Sequence, residues 1–239
     1  MTQRRTLCFA LLLGIAATVQ ADTAPPPPDP LWTLAQQRAA ASRAWVAQVV
    51  HTTLTSQEGV QTRTATAVAT LSGWEGSTPV RQTTTQGDAE AAQLARRALP
   101  GMLSPADRPD AVLLAATVTR DGGPQHVEGR SAQAFHLQGT AGRHQARFTG
   151  RVLVDAESGD LMSVTYQFAP SGPMKGMSHS VHFAPSQPGN PMPALPDSAA
   201  IDVEVRLPLL GAITFHQKVR MAPWVQRPPQ AQVPATESN

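Results

Sequence analysis

The residues able to do chemistry are few and scattered. Seven histidines stand at His51, His126, His136, His144, His179, His182 and His216, and only the pair in His179-Ser180-Val181-His182 is spaced for joint work. On a strand, side chains three residues apart point to opposite faces, so this pair cannot close on one metal ion. The chain has no Gly-x-Ser-x-Gly elbow, no His-Glu-x-x-His and no glycine-rich phosphate loop; Gly129-Arg130-Ser131 begins as an elbow and then fails. Its carboxylates include no pair spaced for acid–base work on a glycosidic bond. The expectation is a protein that is not an enzyme, ligates no metal and needs no cofactor.

The absence of catalytic groups shifts attention to what the chain could bind and where. It opens on Met-Thr-Gln-Arg-Arg, followed by an apolar run from Leu7 to Val19 and the small-residue site Val19-Gln20-Ala21. That pattern is a secretory signal peptide over residues 1–21, too short to serve as a membrane anchor. Cleavage near Ala21 would remove the only cysteine, Cys8, and two of the 19 basic residues, leaving 17 basic against 17 acidic side chains. The mature chain then has no disulfide, no basic patch for nucleic acid and no polybasic strip for lipid headgroups. A cysteine-free exported chain with bacterial-type leader features belongs in the periplasm or outside the cell, without a stable membrane anchor.

Residues 22–30, DTAPPPPDP, read as an extended proline spacer. Residues 31–221 read as one domain, and residues 222–239 as a flexible proline-rich tail. Leu31, Leu34, Ala35 and Arg38 recur at helical spacing up to Ala41. Strands are expected over Trp45–Thr55, Val60–Leu71 and Thr78–Thr85, then a helix Asp88–Leu99 capped by Asp88 and ended by Pro100-Gly101. Further strands are expected at Ala111–Thr119, Gln125–Glu128, Ser131–Gln138, Met177–Ala184, Ala200–Leu207 and Ala212–Met221. Pro185–Ser198 holds five prolines and reads as an irregular loop.

The clearest element is the hairpin Arg147–Phe168. Phe148, Gly150, Val152 and Val154 alternate with Thr149, Arg151 and Asp155, while Met162, Val164, Tyr166 and Phe168 alternate with Ser163, Thr165 and Gln167. A three-residue loop Glu157-Ser158-Gly159, with Gly159 in the left-handed region, pairs Val154 with Met162, Val152 with Val164, Gly150 with Tyr166 and Phe148 with Phe168. The fold class is therefore mainly β: an antiparallel, unclosed half-barrel of about ten or eleven strands with two short helices. Phe148, Val152, Val164, Tyr166, Phe168, Val205 and Phe215 are expected on its apolar face, and Arg151, Thr165 and Glu204 on its wet face.

A leading helix, an antiparallel sheet of this size and the strand–acidic-turn–strand Val152–Leu161 resemble the periplasmic lipoprotein-carrier family, LolA/LolB-like. The resemblance implies a concave apolar face that holds acyl chains under helical lids. Each buried methylene would contribute about 0.8 kcal/mol. The partner it implies is a lipid, a lipidated protein or another apolar ligand. The alternative is an envelope protein-interaction or regulatory module whose sheet is filled by its own side chains.

Expressed in a bacterium, the mature chain should begin near Asp22 and be recovered from periplasm or medium without detergent. N-terminal sequencing that finds Met1 on a cytoplasmic protein would contradict the export reading.

Overall fold

The structure is a computed structural model. It describes residues 29–93, 95, 104–110, 116–141, 146–172, 174–186, 192–207 and 211–229. The signal peptide, most of the proline spacer, residues 96–99 of the expected second helix, residues 111–115 of an expected strand and the end of the tail lie outside the described residues.

Helix α1 spans Pro30–Ala41. Asp29 caps it: its carboxylate accepts the backbone N–H of Leu31 at 2.9 Å and of Trp32 at 3.2 Å, and Pro30 occupies the first turn, where a missing N–H costs nothing. The last two residues of the expected spacer are therefore the start of the helix. A 3-10 turn, Ser42–Ala44, leads into β1 (Trp45–Ala47).

Ten strands form one antiparallel sheet: β2 (Val49–Glu58), β3 (Gln61–Glu75), β4 (Thr78–Gly87), β5 (Ala116–Val127), β6 (Arg130–Ala141), β7 (Ala146–Asp155), β8 (Leu161–Phe168), β9 (Met174–Ala184), β10 (Leu195–Leu207) and β11 (Gly211–Met221). Their order is β4-β3-β2-β11-β10-β9-β8-β7-β6-β5, so β4 and β5 are free edges and the sheet does not close into a barrel. Residues 88–115 carry the chain from one edge to the other. They begin with α2, helical over residues 89–93, where Asp88 accepts the N–H of Glu90 and Ala91 at 3.0 Å each. The short helix α3 (Ser104–Asp107) follows.

The half-barrel expected from the sequence is the fold observed, with four local corrections. The two strands expected at Ala111–Thr119 and Gln125–Glu128 are one strand, β5, whose register breaks between Asp121 and Gln125 to accommodate Gly122-Gly123-Pro124. The irregular loop ends sooner than its prolines suggest: β10 starts at Leu195, and Pro196 sits beside a register shift. Residues 222–229 are not a free tail. β12 (Trp224–Gln226) pairs with β1 in a second, two-stranded sheet. Arg227 fastens it by donating to the carbonyls of Arg43 at 3.2 Å, Asp107 at 2.6 Å and Ser77.

The fourth correction is in the central hairpin. Val152 pairs with Val164, Gly150 with Tyr166 and Phe148 with Phe168, as the alternation requires, but Val154 pairs with Leu161 and not Met162. The loop is longer than three residues because Asp155 organises it: its carboxylate accepts the N–H of Glu157 and Ser158, both at 3.0 Å. Two glycines are required here. A Cβ at Gly150 would come within 2.4 Å of the Thr165 carbonyl oxygen, and Gly159 has φ +74, where a Cβ would come within 2.4 Å of the Leu34 side chain of α1.

Gly159→Val should therefore cost about 1–3 kcal/mol through backbone strain and displacement of Leu34. Ser158→Ala loses one bond to the Asp160 N–H and should cost less than ~1 kcal/mol. Denaturant unfolding that gives equal losses for the two variants would refute this account of the turn.

Candidate functional site

Pairing registers align the apolar face in rows that cross the sheet. The first row runs Phe135, Val152, Val164, Val181, Ala199, Val219, Thr52 and Ala67; the second runs Tyr166, His179, Ile201, Gln217, Leu54 and Ala65; the third runs Phe148, Phe168, Met177, Val203, Phe215 and Ser56. Val205 and Ile213 pair beyond the third. All seven residues expected on the apolar face share it, while Arg151, Thr165 and Glu204 are exposed on the other. They do not share one environment. Val152 and Val164 are fully buried and Phe148 nearly so, whereas Tyr166, Phe168, Val205 and Phe215 are only half-buried.

The gradient follows from where α1 lies. Trp32 packs on Phe135 with ring centroids 5.2 Å apart, and Ala35 and Ala39 are buried in the same cluster as Val152, Val164 and Val181. Ion pairs pin both ends of the helix. At its start Arg120 reaches Asp29 at 2.7 Å; near its end Arg38 reaches Asp160 at 2.8 Å. Burial pushes the Asp160 carboxyl up, but hydrogen bonds from Arg38, Ser186 and the Ala194 N–H outweigh it and hold the group below the usual carboxylate range. Across the sheet, Ala95 of the segment after α2 packs with Leu54, Ala67 and Phe215. Toward the far end of β8–β11, the apolar side chains are half-exposed.

Phe148, Tyr166 and Phe168 form an aromatic cluster with centroids 5.5–5.8 Å apart, and Tyr166 meets His179 edge-on at 4.8 Å. The Tyr166 hydroxyl is hydrogen-bonded to His179 Nδ1. Burial pushes the Tyr166 phenol up to about 12 and the His179 imidazole down to about 4, so both are neutral at pH 7. His179 and His182 lie on opposite faces, as their spacing requires: His179 is buried and His182 pairs with Asp197 at 3.0 Å on the wet face. A cavity of about 590 Å³ at the far end of β8–β11 lies on the polar face, lined chiefly by Gln167, Lys175, Ser178, Asp202, Glu204 and His216.

Among the described residues no three His, Cys, Asp or Glu side chains gather as metal ligands, and no helix is long and apolar enough to cross a membrane. The His182–Asp197 pair lies among Ser163, Ser180 and Ser198, but His182 Nε2 faces Glu128 at 3.4 Å, which is not the arrangement that activates a serine. Sequence reasoning missed Asp160, Gln217 and Thr52. Asp160 carried a signal only as a turn residue and Thr52 looked like an ordinary polar member of an alternating strand, whereas Gln217 interrupts the apolar alternation of Ile213, Phe215, Val219 and Met221.

No family model and no curated protein matches the chain. Among solved structures it is similar to a domain described as an outer membrane lipoprotein-sorting protein from Vibrio parahaemolyticus, at 10% identity and TM-score 0.41, over 84% of this chain and 94% of that one. It is also similar to a DUF1329 family protein from Desulfovibrio piger, at 9% identity and TM-score 0.37, over 82% and 91%. The complex of Pseudomonas aeruginosa MucA and MucB follows at 12% identity and TM-score 0.24, over 84% and 100%. At these scores the likeness carries no argument about a ligand, which must rest on the chain's own residues.

His179 supplies a test of the site's environment. Its folded value of about 4 lies below the ordinary 6.5, so the unfolded chain binds the proton first. Stability should therefore be full above about pH 6.5 and fall as pH drops toward 4, by roughly 3 kcal/mol in all. His179→Gln, which keeps a partner for Tyr166 but does not titrate, should flatten that window in urea unfolding measured across pH. An unchanged slope would refute a buried neutral imidazole.

Proposed function

We propose that the protein is a non-catalytic binding protein of the cell envelope, periplasmic or secreted, which holds a lipid, a lipidated protein or another apolar ligand on the open end of its apolar face. One observation carries the reading. The face runs across the eight strands from β6 to β3 and is dry under α1 and Ala95, whereas Phe168, Met177, Val203, Val205, Ile213 and Phe215 are only half-buried together. Contiguous apolar surface of this kind marks an interaction site more often than an idle surface does. The ligand residues are thus Tyr166, Phe168, Val205 and Phe215, while Phe148, Val152 and Val164 support them from the closed half.

The two halves of the face should respond differently to substitution. Val205→Lys, at a half-exposed position, should reduce uptake of an apolar fluorescent dye several-fold and cost less than about 1 kcal/mol of stability. Val164→Phe, in the dry half, should overpack and lose about 1–3 kcal/mol while leaving dye affinity near that of the parent. Dye titration together with thermal unfolding reads both. No uptake by the parent protein, or uptake unaffected by Val205→Lys, would sink the proposal.

A further inference from the structure

We infer that Thr52 and Gln217 form a hydrogen-bonding seat for a neutral acyl carbonyl, an ester or an amide, within the apolar face; this rests on the apolar-ligand reading above. Gln217 is 2% exposed and Thr52 1%, and neither Gln217 Nε2 nor Thr52 Oγ1 has a hydrogen-bond partner among the described residues. Buried polar groups left without partners are costly and uncommon, and an apolar side chain of similar size would serve a plain core better. The other polar side chains of that second row, Tyr166 and His179, satisfy each other. On this face the deficit lies on β2 and β11; the other unpartnered buried atom among the described residues, Arg81 Nη1, is on β4.

Position makes the two groups a pair. Gln217 lies opposite Leu54 and Thr52 opposite Val219, so they are diagonal neighbours on adjacent strands, about 7–8 Å apart at the backbone and somewhat less at Cβ. Both can donate, one through an amide N–H and one through a hydroxyl. A carbonyl oxygen between them would accept from both. Toward the open end from Gln217 come Phe215 and then Ile213, with Val203 and Val205 alongside on β10, which gives an attached aliphatic chain an apolar track. The residues opposite and beside the pair, Leu54, Ala65, Ala67, Ile201 and Val219, carry no charge. Arg63, in the adjacent row opposite Ser56, is already paired with Glu90 at 2.9 Å. A carboxylate would lose its hydration without a free counter-charge among the described residues, so a neutral carbonyl fits better than a fatty acid anion.

The test uses three probes that differ only at the head: 1-monolauroylglycerol, its ether analogue 1-O-dodecylglycerol, and laurate at pH 8. The mature protein should bind the ester about tenfold more tightly than the ether, which has no carbonyl, and more tightly than laurate. Gln217→Leu and Thr52→Val should bring ester affinity down to the ether level, leave ether affinity unchanged and not lower the thermal midpoint. Equal binding of ester and ether by the parent protein, the result expected if the pair is satisfied only by a trapped water, overturns the seat and leaves the apolar site standing. A preference that survives both substitutions also overturns it. Tightest binding of laurate overturns the neutral seat in favour of an anionic one, and binding of no probe overturns the apolar site together with the seat.

Discussion

The organisation of the molecule depends on the buried carboxylate of Asp160. It accepts Arg38 of α1 at 2.8 Å and 3.2 Å, the Ser186 hydroxyl, and the Ala194 N–H at 3.3 Å. One side chain thus joins the leading helix, the β7–β8 turn and the connection that precedes β10. A charge this deep is tolerated only because its oxygens are filled, and removing Arg38 would leave it unpaired at a cost of about 3–5 kcal/mol. The clamp sets where α1 ends, and α1 sets which half of the sheet is dry. Asp29 with Arg120 fixes the other end, so the helix cannot slide toward the open rows without breaking an ion pair.

A half-barrel built this way resolves a conflict inherent in binding apolar ligands. A core must be packed to be stable, and a site must be unfilled to bind. The chain divides the two tasks along the strands. Small residues at Ala35 and Ala39 let α1 approach the first row closely, and Trp32 fills the space over Phe135. Farther along the same strands the apolar pattern continues, but no described helix covers the β8–β11 rows. Three of the eleven Phe, Tyr and Trp rings gather at the boundary, in the Phe148, Tyr166 and Phe168 cluster.

Much of this was legible from the residues, and what was not has physical causes. Alternation on β7 and β8 fixed the faces of Phe148, Val152, Val164, Tyr166 and Phe168, since a single slip would have put Val152 and Val164 in water. Alternation could not say how deeply each would be buried: Val164 and Phe215 have the same sequence signature, and only the position of α1 separates them. The β12 strand was hidden because Ala222 to Gln226 is short and proline-flanked, and it is held by Arg227 reaching carbonyls 120 and more residues away. The extra residue in the β7–β8 turn was hidden for the opposite reason. Gly159 announces a left-handed position, but the side chain of Asp155 decides how many residues the turn contains. Orphaned polar atoms such as Gln217 Nε2 have no sequence signal, because whether a glutamine is satisfied depends on its neighbours in space.

The edges of the sheet decide between face binding and strand addition as the basis of partner recognition. An interaction module that recruits a peptide as an eleventh strand needs an edge with regular, unpaired backbone groups. β5 has a register break at Gly122-Gly123-Pro124, where the chain bends and Pro124 has no N–H to offer. β4 begins with Pro79 near its turn, and its pairing with β3 shifts between Leu71 and Gly73. Arg81 of β4 folds back onto Asp107 at 2.8 Å and the Ala47 carbonyl at 2.6 Å, which ties that edge to α3 and β1. Both edges carry the devices by which β proteins discourage strand addition, whereas the open rows of the apolar face carry none against a hydrocarbon chain. The asymmetry favours recognition through side chains on the face over recognition through backbone at the rim.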